Sequence, residues 1–232
     1  MRILIIRHGD PDYAHDCLTE LGQRQAEAAA VRLMSEDIET VYSSSMGRAY
    51  ETALAYVREA AAQAGKDSAK EIEAIRQLDF MREIRYGQGE ALYTTGNPWD
   101  EADKMATEDR ELLDLNWHDE PFFRDNVATS EVDRIAEATD EWMLELGYRR
   151  EGRYYRNIRE DDQEHTVALF CHGGSGTAML ARILNLPFPY LCAIIRMRHT
   201  AITSIRMNNE PGSRIMPVLE FACDAEHLKQ IK

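Results

Sequence analysis

Short apolar runs alternating with longer amphipathic stretches organise this chain, and they predict an α/β fold. Ile3-Leu4-Ile5-Ile6 is continuous and largely β-branched, the pattern of a strand buried on both faces of a parallel sheet. Thr166 to Cys171 repeats it, and Thr40-Val41-Tyr42 predicts a shorter strand. Helical spacing predicts helices over Leu18–Met34, Met46–Ala64 (ended by Gly65) and Ser130–Leu146 (ended by Gly147). A helical stretch is also expected over Thr177–Leu184. Further strands are expected over Glu71–Leu78 and Arg153–Tyr155. Ala201–Met207 and Arg214–Phe221 read as a hairpin around Pro211-Gly212. Residues 86–128 carry no clean strand pattern and read as a partly helical insertion covering the site. The fold class expected is a single α/β domain over 1–232, a three-layer sandwich with a mainly parallel sheet and helices on both faces.

Candidate chemistry collects where the strands end. Arg7-His8-Gly9 follows the first strand, Ser43-Ser44-Ser45 and then Arg48 follow the second, and His172-Gly173-Gly174-Ser175-Gly176 follows Cys171. Ligands of open α/β sheets bind outside the carboxyl ends of strands. Small residues there let backbone N–H groups approach an anion at a helix N-terminus. Converging arginines and imidazoles suit a phosphoryl group, whose transition state spreads negative charge over its oxygens.

These residues, with others in order along the chain, resemble the histidine phosphatase superfamily, also called phosphoglycerate mutase-like. The resemblance rests on Arg7-His8-Gly9, on Leu18-Thr19-Glu20-Leu21-Gly22-Gln23-Arg24-Gln25-Ala26, on Ser43-Ser44 with Arg48-Ala49 and Thr52-Ala53, on Glu83, Gly87 and Glu90, and on His172-Gly173-Gly174. It implies that His8 is a nucleophile that becomes phosphohistidine. Neutral imidazole suits that role near its ordinary pKa of about 6.5. It further implies that Arg7, Arg48, His172 and Gly173 hold the phosphoryl oxygens, with His172 counted among the catalytic residues. Glu83 would protonate the leaving oxygen, which requires its pKa to be raised, as partial burial would do. Glu90 is a rival acid on the same loop. No cofactor and no metal are implied. Asp10 and Asp12 beside His8 hint at metal ligands, but adjacent Arg7 would repel a cation.

The departures bear on the reaction. Ala14 stands where the family often has Asn, Ser45-Met46 where Pro-Leu is usual, and Gly89 and Ala91 where Trp and Gly often flank Glu90. The arginine pair with which glycolytic mutases hold a substrate carboxylate has no counterpart between Tyr86 and Asn126, an acidic segment. That favours a phosphatase, a phosphoric monoester hydrolase, over a mutase-type phosphotransferase. A non-catalytic phospholigand-binding domain is the alternative from another class. A serine hydrolase lacks support, because Gly173-Gly174-Ser175-Gly176-Thr177 misses the last glycine of a nucleophile elbow.

Composition narrows the partners. Lys and Arg number 27 against 41 Asp and Glu, a net charge of −14. This excess disfavours nucleic acid and anionic membrane as partners, and means that a small phosphorylated substrate is drawn in only by local positive potential at Arg7 and Arg48. Four scattered cysteines read as free thiols rather than a disulfide framework. The N-terminal apolar run is too short for a signal peptide, and no stretch approaches a membrane span, so a cytoplasmic location is expected. Oligomeric state and the identity of the substrate are not legible.

Overall fold

The computed structural model describes residues 1–89 and 91–231. A six-stranded sheet runs, edge to edge, Val218–Asp224, Ile202–Arg206, Arg2–Arg7, Thr166–Cys171, Thr40–Ser44 and Arg76–Leu78. Arg2–Arg7, Thr166–Cys171, Thr40–Ser44 and Arg76–Leu78 pair in parallel. Ile202–Arg206 and Val218–Asp224 join antiparallel.

The period of two along the central strands sorts their side chains into two cores. Ile3, Ile5, Val167 and Leu169 pack on one face with Val132, Ile135 and Trp142 of helix Val127–Glu145 and Leu180 and Ile183 of helix Gly173–Leu184. Leu4, Ile6, Ala168 and Phe170 pack on the other with Ala30 and Leu33 of helix Glu20–Leu33 and Ala53, Tyr56 and Val57 of helix Gly47–Ala64. Ile3 to Ile6 are all fully buried. At about 1.5–3 kcal/mol per buried aliphatic side chain, these four together rival the net stability of a domain.

Three expected elements differ. Glu71–Leu78 is not one strand: helix Ser68–Glu73 precedes a short strand, Arg76–Leu78. The Asp67 carboxylate accepts from Ala69 N at 3.0 Å and starts that helix, and Ile72 and Ile75, three apart, pack on the second core. The expected hairpin divides at Met216-Pro217, where proline offers no N–H. Arg214–Ile215 joins a small sheet with Tyr154–Asn157 and Tyr148–Glu151, while Val218–Asp224 returns to the main sheet. The glycine-rich segment after His172 is helical from Gly173, not a loop leading to Thr177.

Segment 86–128 contains helix Pro98–Thr107, begun by the Asn97 cap, and the short helix Pro121–Arg124. All four cysteines are free thiols. Among the described residues no single helix is long and apolar enough to cross a membrane.

Candidate active site

Strand register brings the two histidines together. Arg7 lies opposite Cys171, so His8 and His172, each one residue beyond, meet at the carboxyl end of the sheet with ring centroids 5.0 Å apart. Cys171 O accepts from His8 N at 2.9 Å. Ser43 lies opposite Phe170, which places the Ser44 hydroxyl 2.9 Å from His172 Nε2. Both rings are buried, His8 1% and His172 0% exposed.

The hydrogen bonds of His8 assign its tautomer. A carbonyl oxygen only accepts, so the 2.6 Å contact with Gly9 O puts the proton on Nδ1. Nε2 then keeps its lone pair and accepts from Arg48 Nε at 3.3 Å. Burial first, then the charges of Arg7 and Arg48 and the neighbouring His199, lower the His8 pKa to about 3, against the pull of Gly9 O. His8 is therefore neutral at ordinary pH. Burial, then His8, Arg48 and Arg7, likewise hold His172 well below the usual imidazole range.

Each arginine is anchored by contacts to the surrounding chain. Arg7 Nη1 donates to Met197 O at 2.6 Å, while its buried Nε has no partner. Arg48, 4% exposed, pairs through Nη1 with Asp16, whose other oxygen accepts from Gly47 N at 2.7 Å. His172 Nδ1 is a second buried atom without a partner.

The Thr19–Ala26 segment fixes the loop after Gly9. Thr19 caps the helix through Gly22 N at 3.0 Å and donates to the Asp10 carboxylate at 2.7 Å. Gln25 accepts from Asp10 N at 2.7 Å. A side chain at Gly22 would sit 2.1 Å from Asp10 O, so only glycine allows this approach.

Glu83 reaches the same place from beyond Arg76–Leu78. Its Oε1 accepts from Ser175 N at 2.9 Å and Ile84 N at 3.0 Å, and its Oε2 accepts from Gly174 N at 3.2 Å. The carboxylate thus occupies the N-terminal turn of helix Gly173–Leu184, where unpaired N–H groups gather. A Cβ on Gly174 would lie 2.6 Å from Glu83 Oε1 and 2.4 Å from Ile84 Cγ1. Gly173 lies beside Arg7, its built Cβ 3.6 Å from Arg7 Nε. The Met46 sulfur accepts from Glu83 N at 3.4 Å and Arg48 Nη2 at 3.7 Å, linking the acid to the cation.

Sequence reasoning passed over two residues here. His199, which belongs to no motif, is half-buried, with its ring 5.8 Å from His8 and Nδ1 3.5 Å from Asp10. Asp16 carried no motif. Ala14 is exposed and brings no polar side chain to the site. Glu90, the rival acid, lies outside the described residues. His118 stacks on Trp117 and pairs with Asp133 away from the site, as a surface histidine would. Among the described residues no cluster of three or more His, Cys, Asp or Glu has the arrangement of a metal site.

A cleft of about 920 Å³ opens beside Arg48 and Glu83. Its walls include Tyr13, Tyr86, Tyr93 and Trp99, and also Arg82, Arg85 and Arg134. These cations come from outside the acidic 86–126 segment. Arg48, Arg82, Arg85 and Arg134 outnumber Asp79, Glu83 and Glu131 there by one positive charge, in a chain of net charge −14.

Two buried neutral histidines between two arginines, at the carboxyl ends of parallel strands, define a paired-histidine site on a three-layer α/β fold. The chain belongs to the histidine phosphatase superfamily (branch 1), whose profile matches residues 3–213. It is 25% identical over 240 residues to a probable phosphoglycerate mutase, GpmB, of Proteus mirabilis, covering 100% of this chain and 96% of that protein. The fold is similar to that of Entamoeba histolytica phosphoserine phosphatase in complex with 3-phosphoglyceric acid, at TM-score 0.61, 18% identity and 98% coverage of each chain. It is also similar to a mycobacterial glucosyl-3-phosphoglycerate phosphatase in complex with inorganic phosphate, at TM-score 0.61 and 22% identity, covering 97% of this chain and 98% of that one.

Proposed function

We propose that this protein hydrolyses a small phosphomonoester through a phosphohistidine on His8. The observation that carries the reading is the state of His8: neutral, protonated on Nδ1, with the Nε2 lone pair facing Arg48. In the first step Nε2 attacks phosphorus, the ester P–O bond breaks, and the leaving oxygen takes a proton from Glu83. In the second, water attacks phosphorus, Glu83 takes back a proton and the N–P bond breaks. The reaction splits one difficult displacement into two easier ones. Arg7, Arg48, His172 and Gly173 would hold the phosphoryl oxygens, a role supported by the unpartnered Arg7 Nε and His172 Nδ1, atoms an anion would satisfy. Arginine supplies the fixed positive charge, so the reaction needs no metal.

The test is phosphate release from a panel of phosphorylated metabolites. Wild type should turn over and, when quenched during turnover, carry acid-labile phosphate on His8. His8→Ala should do neither, and normal turnover in that variant would overturn the mechanism.

A second reading, return of the phosphoryl group to an acceptor as in a mutase, draws support from Arg82, Arg85 and Arg134 in the cleft, which could hold a second anionic group. It predicts product isomers in place of free phosphate.

A further inference from the structure

We infer that the alcohol portion of the substrate carries a planar aromatic ring, which the cleft receives between Tyr86, Tyr93 and Trp99. This rests on the phosphatase reading and names the substrate class for that site. The cleft is continuous with Arg48 and Glu83, so a phosphoryl group at His8 directs the rest of the molecule along its walls. Four of the thirteen residues that line it are aromatic. Tyr86 and Tyr93 meet edge-to-face at 5.2 Å, and Tyr13 lies over the Arg48 guanidinium at 5.4 Å. Trp99 is anchored edge-on against Phe188 at 6.2 Å and is only partly buried.

Two further features set Tyr93 and Tyr13 apart from core packing. Tyr93 is 54% and Tyr13 70% exposed, so neither ring is covered by the protein. Tyr93 also sits at φ 61°, a left-handed conformation unfavourable for a bulky side chain. Tyr86 O holds it there by accepting from Tyr93 N at 3.0 Å. Backbone strain of this kind persists where the surroundings over-determine it, and it gathers at ligand clamps. Aromatic faces set around a cleft with an anion site at one end suit a ring that stacks while its phosphate is held.

The test compares adenosine 5′-monophosphate with ribose 5-phosphate. Both expel the same primary alkoxide, so differences in leaving-group chemistry cancel and the ring is the variable. The expected result is a kcat/KM ratio of roughly 5- to 100-fold in favour of the nucleotide, the range that stacking of one base supports. Tyr93→Ala should bring that ratio toward one, and Tyr93→Phe, which keeps the ring, should restore it. Equal turnover of the two compounds would overturn the inference and leave the phosphatase reading standing. So would turnover of only ring-free members of the metabolite panel. Absence of phosphate release from every phosphomonoester, ring-bearing or not, would instead remove the phosphatase reading.

Discussion

Arg48 Nε donates to His8 Nε2 across 3.3 Å, while the far end of the same guanidinium pairs with Asp16. A cation aimed at an imidazole lone pair keeps that imidazole unprotonated. It also stands where charge would develop when the lone pair attacks a phosphoryl group. Asp16 accepts from Gly47 N at 2.7 Å, at the start of helix Gly47–Ala64, so the arginine is fixed at both ends before any substrate arrives.

Acid should destabilise this fold through its histidines before its carboxylates. The folded-state pKa of His8 is about 3, against 6.5 ordinarily, and burial lowers His172, His199 and His227 as well. Between pH 6.5 and about 3 the unfolded chain binds a proton that folded His8 refuses. Its contribution is therefore complete above pH 6.5 and is lost as pH falls. For His8 alone the loss from pH 7 to pH 5 is about 2 kcal/mol. Carboxylates such as Glu36 and Glu131, lowered from 4.5, contribute stability that disappears only below that value. Denaturant melts at pH 7 and pH 5 should show a smaller drop for His8→Gln than for wild type. Equal drops would mean that His8 is not neutral in the fold.

The two adjacent glycines after His172 should respond differently to a methyl group. Gly174→Ala would drive its Cβ into Ile84 and the Glu83 carboxylate, whereas at Gly173 the nearest atom is Arg7 Nε at an ordinary 3.6 Å. Overpacking of this kind costs about 1–3 kcal/mol. For a chain of this length that is roughly 2–12 °C in melting temperature. Calorimetry should find Gly174→Ala lowered by such an amount and Gly173→Ala melting with wild type. Matching losses in both would mean that the helix start, and not the Glu83 contact, demands glycine.

Phosphate release should survive exhaustive chelation and be inhibited competitively by tungstate. Arg7 and Arg48 bring fixed charge to the place where a metal would otherwise be needed. Loss of activity in chelator with recovery on adding a divalent cation would overturn this.

The position of His8 was legible because strand and motif are contiguous: Ile3 to Ile6 announce a buried strand, and Arg7-His8-Gly9 stands at its end. His172 was legible for the same reason. Their 5.0 Å approach follows from one register, Arg7 opposite Cys171, which a sequence does not print. Asp16 and His199 were missed because each enters through a long-range contact from a turn, with no periodicity and no motif. Glu71–Leu78 was misread because Ile72 and Ile75 suit either a strand or a short helix, and the Asp67 cap decides between them. Arg82, Arg85 and Arg134 line the cleft only because the Glu83 loop and helix Val127–Glu145 converge there.

Glu83 raises the sharpest question about the chemistry, because both its oxygens are already engaged by Gly174, Ser175 and Ile84 N–H groups. A proton donor and a brace for the helix start would occupy this position alike, and leaving-group dependence separates them. A good leaving group departs as an anion and gains little from an acid, while an alkyl alkoxide needs the proton. General acid catalysis is worth roughly 10²–10⁴-fold. Glu83→Gln should therefore slow alkyl phosphates by that order and aryl phosphates with acidic phenols far less, while melting temperature falls in either case because an amide nitrogen cannot accept from the helix-start N–H groups. An equal slowing of both substrate types would assign Glu83 to holding the helix end. If the dependence appeared only in Glu90→Gln, the proton donor would be Glu90, and the role proposed for His8 would stand.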